Sequence, residues 1–380
     1  MISIILKILS GLFYMIWDIY WGLAFGFILS SLVRAFVSTE RISSKLGKDT
    51  VRATALSTFF GAVSSSCSYA AASMSRTLLI KGATWSNAVS FMVASTNLVF
   101  EIFIVIVSLL GWAFFGGEVI GGLFFIMVSA ILINRFFPKK VKDEAKEHIH
   151  HSEHSGHAHH HEHQHEPKKS CCHSMPKEDA DIKTGFFNKL KSASGHFYMD
   201  VTMVGKDIGI GLVIASILMV LVPDSFWQSL FLTGPTSLPH FLVLSWNAVV
   251  GIFIAVIAFV CSVGNIVMAA VLWQGGISFG GVIAFILSDL VTIPMLMVFR
   301  NYYGGKTMWY LLGFLVISIF LTSLFLDYSF AALHWLPKPH SGGMQMAAQH
   351  FQWNYNTWLN LIFIPVSIWY FFMGRKSMKM

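Results

Sequence analysis

Gly61-Ala62-Val63-Ser64-Ser65-Ser66-Cys67-Ser68-Tyr69-Ala70-Ala71-Ala72 stands at the centre of an apolar stretch of 29 residues, Ala53 to Lys81. A helix needs about 20 apolar residues to cross a bilayer, so the stretch is too long for one span and too short for two. Two half-helices meeting at the serine–cysteine cluster fit the length. A half-helix that ends inside a membrane leaves backbone groups unpaired, which is tolerable only beside a cavity, a ligand or other protein groups. A second interrupted stretch, 240–275, carries Cys261-Ser262-Val263-Gly264-Asn265 at its middle. The fold class that follows is an all-α polytopic membrane protein with a broken helix or re-entrant hairpin in each of two halves.

The rest of the chain agrees. Of 380 residues, 55% are hydrophobic and 12% charged, with 34 Phe, 18 Met and 12 Trp; a soluble domain carries about 25% charged residues. A soluble enzyme, an unfolded protein and a nucleic-acid binder all fit poorly. The net charge of +7 would suit nucleic acid, but the basic residues come in short clusters between apolar runs, the pattern of membrane loops. Span-length apolar runs fall near 18–37, 87–110, 112–136, 207–222, 278–299, 308–327 and 357–373. Lys7 leads into a long apolar stretch without a small-residue cleavage site, which reads as an uncleaved anchor. Four cysteines, two of them the adjacent Cys171-Cys172, make no disulfide scaffold.

Residues 137–206 turn polar and rich in Lys, Glu and His, and separate two hydrophobic halves. The division is a first membrane repeat over 1–136, a cytoplasmic, His-rich and unfolded loop over 137–199, a second repeat over 200–327, and an extracytoplasmic loop with a final membrane helix over 328–380. The halves read as copies. Asp18-Ile19-Tyr20-Trp21-Gly22-Leu23 parallels Asp207-Ile208-Gly209-Ile210-Gly211-Leu212, and Cys67-Ser68 falls on Cys261-Ser262. Without a gap, Met74 then falls on Met268, Leu78 on Leu272, Gly82 on Gly276 and Phe91 on Phe285, a constant spacing of 194. Asp18 and Asp207 read as helix N-caps ahead of their spans.

The basic clusters set an orientation. Arg34, Arg41, Lys45, Lys48 and Arg52 fall inside, with Lys81 if the first interrupted stretch returns to its own side. Arg135, Lys139, Lys140 and Lys142 follow, then Arg300 and Lys306, then Arg375, Lys376 and Lys379. The connections 111–118 and 223–240 carry no Lys or Arg and fall outside, as does 328–356 with Lys338 alone. Three full spans per half make the halves inverted, with the N-terminus outside and the C-terminus in the cytoplasm of a prokaryotic cell (inner) membrane. Inverted repeats with broken helices meeting near the midplane are the architecture of many secondary transporters.

Ser65-Ser66-Cys67-Ser68-Tyr69-Ala70-Ala71-Ala72, Ala94-Ser95-Thr96-Asn97-Leu98-Val99-Phe100-Glu101 and Cys261-Ser262-Val263-Gly264-Asn265-Ile266 resemble the ArsP-like permeases. The resemblance covers both hydrophobic halves and excludes the His-rich middle. It implies a permease, and for the members studied as ArsP, export of trivalent organoarsenicals. Where the resemblance leads one to expect a proline soon after Asn265, this chain has Ile266-Val267.

Cys67 and Cys261 are the leading substrate ligands, with Ser66, Ser68, Ser262, Asn265 and Asn97 around them. Thiolates are soft ligands that favour soft metals and metalloids. A monosubstituted arsenic(III) species has two exchangeable positions, which two thiolates, one from each half, would fill. The plainer alternative is a small buried hydrophobe in a tight turn. Glu101 and Asp289 lie within apolar spans, where ionisable groups are costly and line pathways or proton relays. They are the candidate proton-coupling carboxylates, against the alternative of a buried hydrogen bond to Arg76, Asn265 or backbone. Asn97 and Asp289 follow their cysteines by 30 and 28 residues and read as rough counterparts.

The polar segment holds ten histidines between His148 and His165, followed by Cys171-Cys172-His173. Imidazole and thiolate suit zinc, copper and nickel. The set His157, His159, His160, His161, His163, His165, Cys171, Cys172 and His173 has no fixed ligand spacing, so it reads as a loose metal-capturing tract. No cofactor is required.

Three functions follow: an exporter of a soft metalloid or thiol-reactive compound, a divalent transition-metal transporter fed by the His-rich tract, and a membrane metal sensor without flux. No Walker loop, zincin motif or Ser-His-Asp arrangement is present, so no enzyme is expected. The partners implied are the lipid bilayer and a small metalloid or metal substrate, with no nucleic acid; the oligomeric state is open.

Overall fold

A computed structural model of the chain describes residues 2–36, 47, 49–66, 68–154, 190–195, 224–232, 239–257, 262–337 and 355–377, with scattered positions between 197 and 221. All regular elements among the described residues are helical. The first half contains α1 (Ile2–Phe36), α2 (Val51–Ser64), α3 (Ser68–Ile80), α4 (Trp85–Asn97), α5 (Phe100–Leu109) and α6 (Trp112–Phe136). Next comes α7 (Lys139–His154). The second half contains α8 (Asp224–Phe231), α9 (His240–Ile257), α10 (Ser262–Gln274), α11 (Phe279–Leu287), a 3-10 turn over Ser288–Val291, α12 (Ile293–Tyr303), α13 (Gly305–Ala332) and α14 (Tyr355–Ser377). Among the described residues, five stretches are long and apolar enough to cross a membrane: α6, α9, α11 through α12, α13 and α14. A sixth arises if α4 and α5, bent by 44° at Leu98-Val99, form one broken span.

The stretch 53–81 folds as a helical hairpin. Asp49 accepts from Ser86 at 2.6 Å and Thr54 donates to Asn87 Oδ1 at 3.0 Å, so α2 starts beside the start of α4. Gly61 then lies against the Phe91 carbonyl, and the Ser66 N–H reaches the Ser95 carbonyl at 3.0 Å. α2 therefore runs alongside α4 in the same direction. α3 comes back, with the Ser75 hydroxyl on the Ala88 carbonyl at 3.1 Å. In the second half, Gly251 lies against the Gly281 carbonyl and close to the Phe285 N–H, so α9 runs alongside α11. α10 returns to the start of α11 through a tight turn.

The two turns match bond for bond. Gly82 and Gly276 take φ of +92° and +96°, a left-handed backbone that glycine adopts without steric cost. Ala83 donates to the Leu78 carbonyl at 2.9 Å and Ile277 to the Leu272 carbonyl at 3.3 Å, the long bond of a Schellman ending. Thr84 and Ser278 then cap α4 and α11 by accepting from the N–H of Asn87 and Gly281. Every pair repeats the spacing of 194 read from the sequence.

α4 and α11 run in opposite directions. Trp85, opening α4, packs edge-on to Phe137 just past the end of α6, with centroids 5.3 Å apart. Phe279, opening α11, packs on Phe114 near the start of α6 at 4.9 Å and on Phe330 near the end of α13 at 4.8 Å. Arg52, Lys81, Arg135, Lys139, Lys140, Lys142, Arg300 and Lys306 belong to the Trp85 end. The described residues 110–120, 224–232, 239–243 and 328–337, at the Phe279 end, include no Lys or Arg, and Lys7 stands near the start of α1. α14 closes onto α1: the Asn360 side chain accepts from the Trp21 N–H at 2.9 Å and donates to the Trp17 carbonyl at 2.6 Å.

Three features depart from the sequence reading. Asp18 lies in the middle of α1, which starts at Ile2, so it is no N-cap. The connection read over 111–118 shrinks to Leu110-Gly111, because α6 starts at Trp112 and takes Glu118 into the core. The segment 137–199, read as unfolded throughout, opens with α7, whose Val141, Ala145 and Ile149 are buried. These residues recur every fourth position on a helix that is otherwise charged, an apolar stripe too thin to show in composition. α7 docks beneath α3, α12 and α13. The Arg76 guanidinium donates to the Ile149 carbonyl at 3.3 Å and lies over the Tyr302 ring, 5.2 Å from its centroid.

Candidate substrate and coupling site

Ser65, where α2 ends, has φ +40° and ψ +70°. A non-glycine residue there is strained, and such strain concentrates at functional positions. The Ser65 hydroxyl donates to the Glu101 carboxylate, at 2.6 Å to Oε1 and within reach of Oε2. Glu101 is buried in the first turn of α5, just after the chain breaks at Leu98-Val99. The break itself frees backbone N–H groups at the start of α5, a favourable place for a carboxylate.

Asp289 occupies the matching interruption of the second half, the 3-10 turn between α11 and α12, and is 3% exposed. Ser68, in the first turn of α3, donates to Asp289 Oδ2 at 3.0 Å. Asn97, the last residue of α4, donates to Asp289 Oδ1 at 3.4 Å. The tip of one hairpin, the end of a broken helix and the break of the other half thus meet around one buried carboxylate.

The other candidate residues sort differently. The Ser66 hydroxyl turns back on the Ser64 carbonyl at 3.2 Å, so it serves its own turn. Asn265 is 1% exposed on α10, and neither its side-chain oxygen nor its nitrogen has a hydrogen-bond partner among the described residues. Arg76, weighed as a partner of the carboxylates, extends to Ile149 and Tyr302 at the Trp85 end. Cys67, Cys261 and the side chain of Ser262 lie outside the described residues, as does the whole set from His157 to His173. Among the described residues, no three His, Cys, Asp or Glu groups gather as a metal site would need.

Two residues of this region escaped the sequence reading. Ser65, beside the serines that sequence singles out, is the one in the left-handed position. Glu118 falls in the outside connection expected from sequence, yet it has no exposed surface and its oxygens have no hydrogen-bond partner among the described residues. The signal was present in the glycines around it. Gly117, Gly121 and Gly122 are spots where an added Cβ would run into Phe279, Leu326 and Leu98, so this face of α6 is pressed into the core.

Apolar helices of spanning length, two of them interrupted around buried carboxylates, define a polytopic membrane protein with polar groups held at its centre. The chain belongs to the "Predicted permease" family ArsP_1, whose model matches residues 4–328, and it is therefore a membrane transporter. It is 37% identical over 346 residues to Rv2963 of Mycobacterium tuberculosis, a protein that bears the name of a permease; the match covers 87% of this chain and 78% of that one. No solved structure matches the chain.

Proposed function

We propose that the protein is a secondary transporter that exports a soft metalloid or thiol-reactive compound, with a trivalent organoarsenical as the type substrate, by alternating access between two inverted halves. The observation that carries this reading is the hydrogen bond from Ser68 to Asp289, which joins one half's hairpin tip to the other half's break. The opposite directions of α4 and α11 and the turn repeated at a spacing of 194 support the inverted duplication. Rocking one half against the other would open such a centre to each side in turn. Cys67 adjoins Ser66 and Ser68, and Cys261 adjoins Ser262, so each thiol belongs by sequence to a hairpin tip. Two thiolates suit an arsenic(III) centre with two exchangeable positions. Glu101 and Asp289 carry the coupling proton in this reading. The basic Trp85 end is the cytoplasmic one by the positive-inside rule, in the inner membrane of a prokaryotic cell.

The test is a resistance and uptake panel with methylarsenite, arsenite, zinc, copper and nickel, comparing the intact chain with Cys67→Ser and Cys261→Ser. Methylarsenite efflux by the intact chain, lost in both variants, is the expected result. Efflux of a divalent metal that ignores both cysteines and disappears when residues 157–173 are removed would replace it with the divalent-metal reading. Metal binding without flux of any panel member would make the protein a sensor.

A further inference from the structure

Glu118 has no role in the reading above, and its surroundings are unusual. Its side chain is wholly buried, and neither carboxylate oxygen has a hydrogen-bond donor among the described residues. An anion there would be out of water with nothing among the described residues to replace its hydration, which disfavours the charge. The elements packed on α6 are α4, α5, α11 and α13. Their described carboxyl groups are Glu101, at the break before α5, and Asp327, toward the Phe279 end of α13, which also carries Tyr310 and Tyr328. Glu101 of α5 accepts from Ser65, and Asp327 of α13 accepts from the Ser278 hydroxyl and the Gly280 N–H. Asp289, in the turn after α11, accepts from Ser68 and Asn97, and Gly122, one helical turn after Glu118, faces Leu98 beside that Asn97. The basic residues Arg135 of α6 and Lys306 of α13 lie far off at the Trp85 end, Lys306 beside Glu144 at 3.0 Å.

Two buried carboxyl groups in one water-poor region, one without a donor among the described residues, hold a proton more readily than two negative charges. A second observation points into the same place. Asn97 is 0% exposed and gives its amide to Asp289, while its Oδ1 has no partner among the described residues. An acceptor in that position lacks a donor, and a neutral carboxyl, unlike a carboxylate, has an O–H to give.

We propose that Glu118 is a proton-carrying residue of this transporter, working with Asp289 to hold one proton while both are buried and to release it when they meet water. The coupling role rests on the transporter reading; the presence of the proton does not. Binding and release are simple acid ionisation at the pair, with the proton taken from one side of the membrane and left on the other.

The test uses the full chain reconstituted in lipid vesicles. Infrared difference spectra across a pH step should show a protonated-carboxyl stretch in the unsubstituted chain at neutral pH. That band should be missing in Glu118→Gln and displaced in Asp289→Asn. Glutamine copies the shape and neutrality of a protonated glutamate, so Glu118→Gln should fold; if it does not, the Asp289→Asn spectrum decides. An unchanged band in both variants overturns the proposal. In a second arm, with methylarsenite as the probe, Glu118→Gln should keep exchange without a gradient and lose accumulation driven by a pH gradient. That split separates a proton carrier from a structural residue, and intact gradient-driven accumulation overturns the carrier role. If the unsubstituted chain moves no methylarsenite, the substrate reading fails while the infrared arm still judges Glu118.

Discussion

Ser68 and Asp289, 221 residues apart in the chain, are joined by a hydrogen bond of 3.0 Å from hydroxyl to carboxylate. One is in the first turn of a half-helix and the other in a break between helices. Ser68→Ala removes a donor from a buried carboxylate and should lower stability by about 1–3 kcal/mol, with impaired transport. Ser66→Ala, whose hydroxyl serves a carbonyl of its own turn, should cost under about 1 kcal/mol and leave more transport. Thermal unfolding and vesicle uptake of the two variants, side by side, check the order; the reverse order would deny the Ser68 contact its role.

The caps of the repeated turn give a second comparison. Thr84 and Ser278 each receive an N–H of the helix they start, and losing such a cap costs about 1 kcal/mol. Ser278 also donates to Asp327 Oδ2 at 3.0 Å. Ser278→Ala should therefore lower the melting temperature more than Thr84→Ala, because it leaves a buried carboxylate short of a donor as well.

The membrane-spanning helices were legible in the sequence for a physical reason: a membrane imposes apolar runs of fixed length, and a tight turn between helices needs a glycine and a cap. Gly82 and Gly276, matched by register alone, carry the same left-handed φ. The polar contacts were less legible. At the spacing of 194 Asp289 falls on Ser95 rather than Asn97, so the observed Asn97–Asp289 bond joins complementary residues of the two halves and not equivalent ones. Glu118 was hidden because a carboxylate beside a connection reads as solvated unless the glycines flanking it are recognised as a packing face. Ser65 is set apart by its left-handed backbone and its bond to Glu101, neither of which composition reveals.

Close helix approach supplies a third prediction. A Cβ added at Gly61 would strike the Phe91 carbonyl, and one at Gly251 the Gly281 carbonyl. Backbone cannot swing aside as a side chain does, so Gly61→Ala and Gly251→Ala should each cost about 2 kcal/mol or more. Gly313, inside α13, has nothing within 4 Å of an added Cβ. Gly313→Ala should be neutral or stabilising by up to about 1 kcal/mol. Equal losses at all three positions would contradict the packing described.

The polar segment makes the last prediction, and α7 fixes where a deletion must stop. Ile149 is 1% exposed and its carbonyl receives Arg76, whereas the Glu144–Lys306 pair is exposed on both sides. Ile149→Ala should cost about 2–4 kcal/mol, and Glu144→Ala close to zero, as exposed ion pairs do. A deletion reaching into α7 would therefore report lost packing rather than lost metal capture. Removing only residues 157–173 keeps α7 and should leave both melting temperature and methylarsenite export unchanged. If that deletion abolishes export while the melting temperature holds, the tract feeds the pathway, and the central-cysteine mechanism gives way to delivery through the histidines.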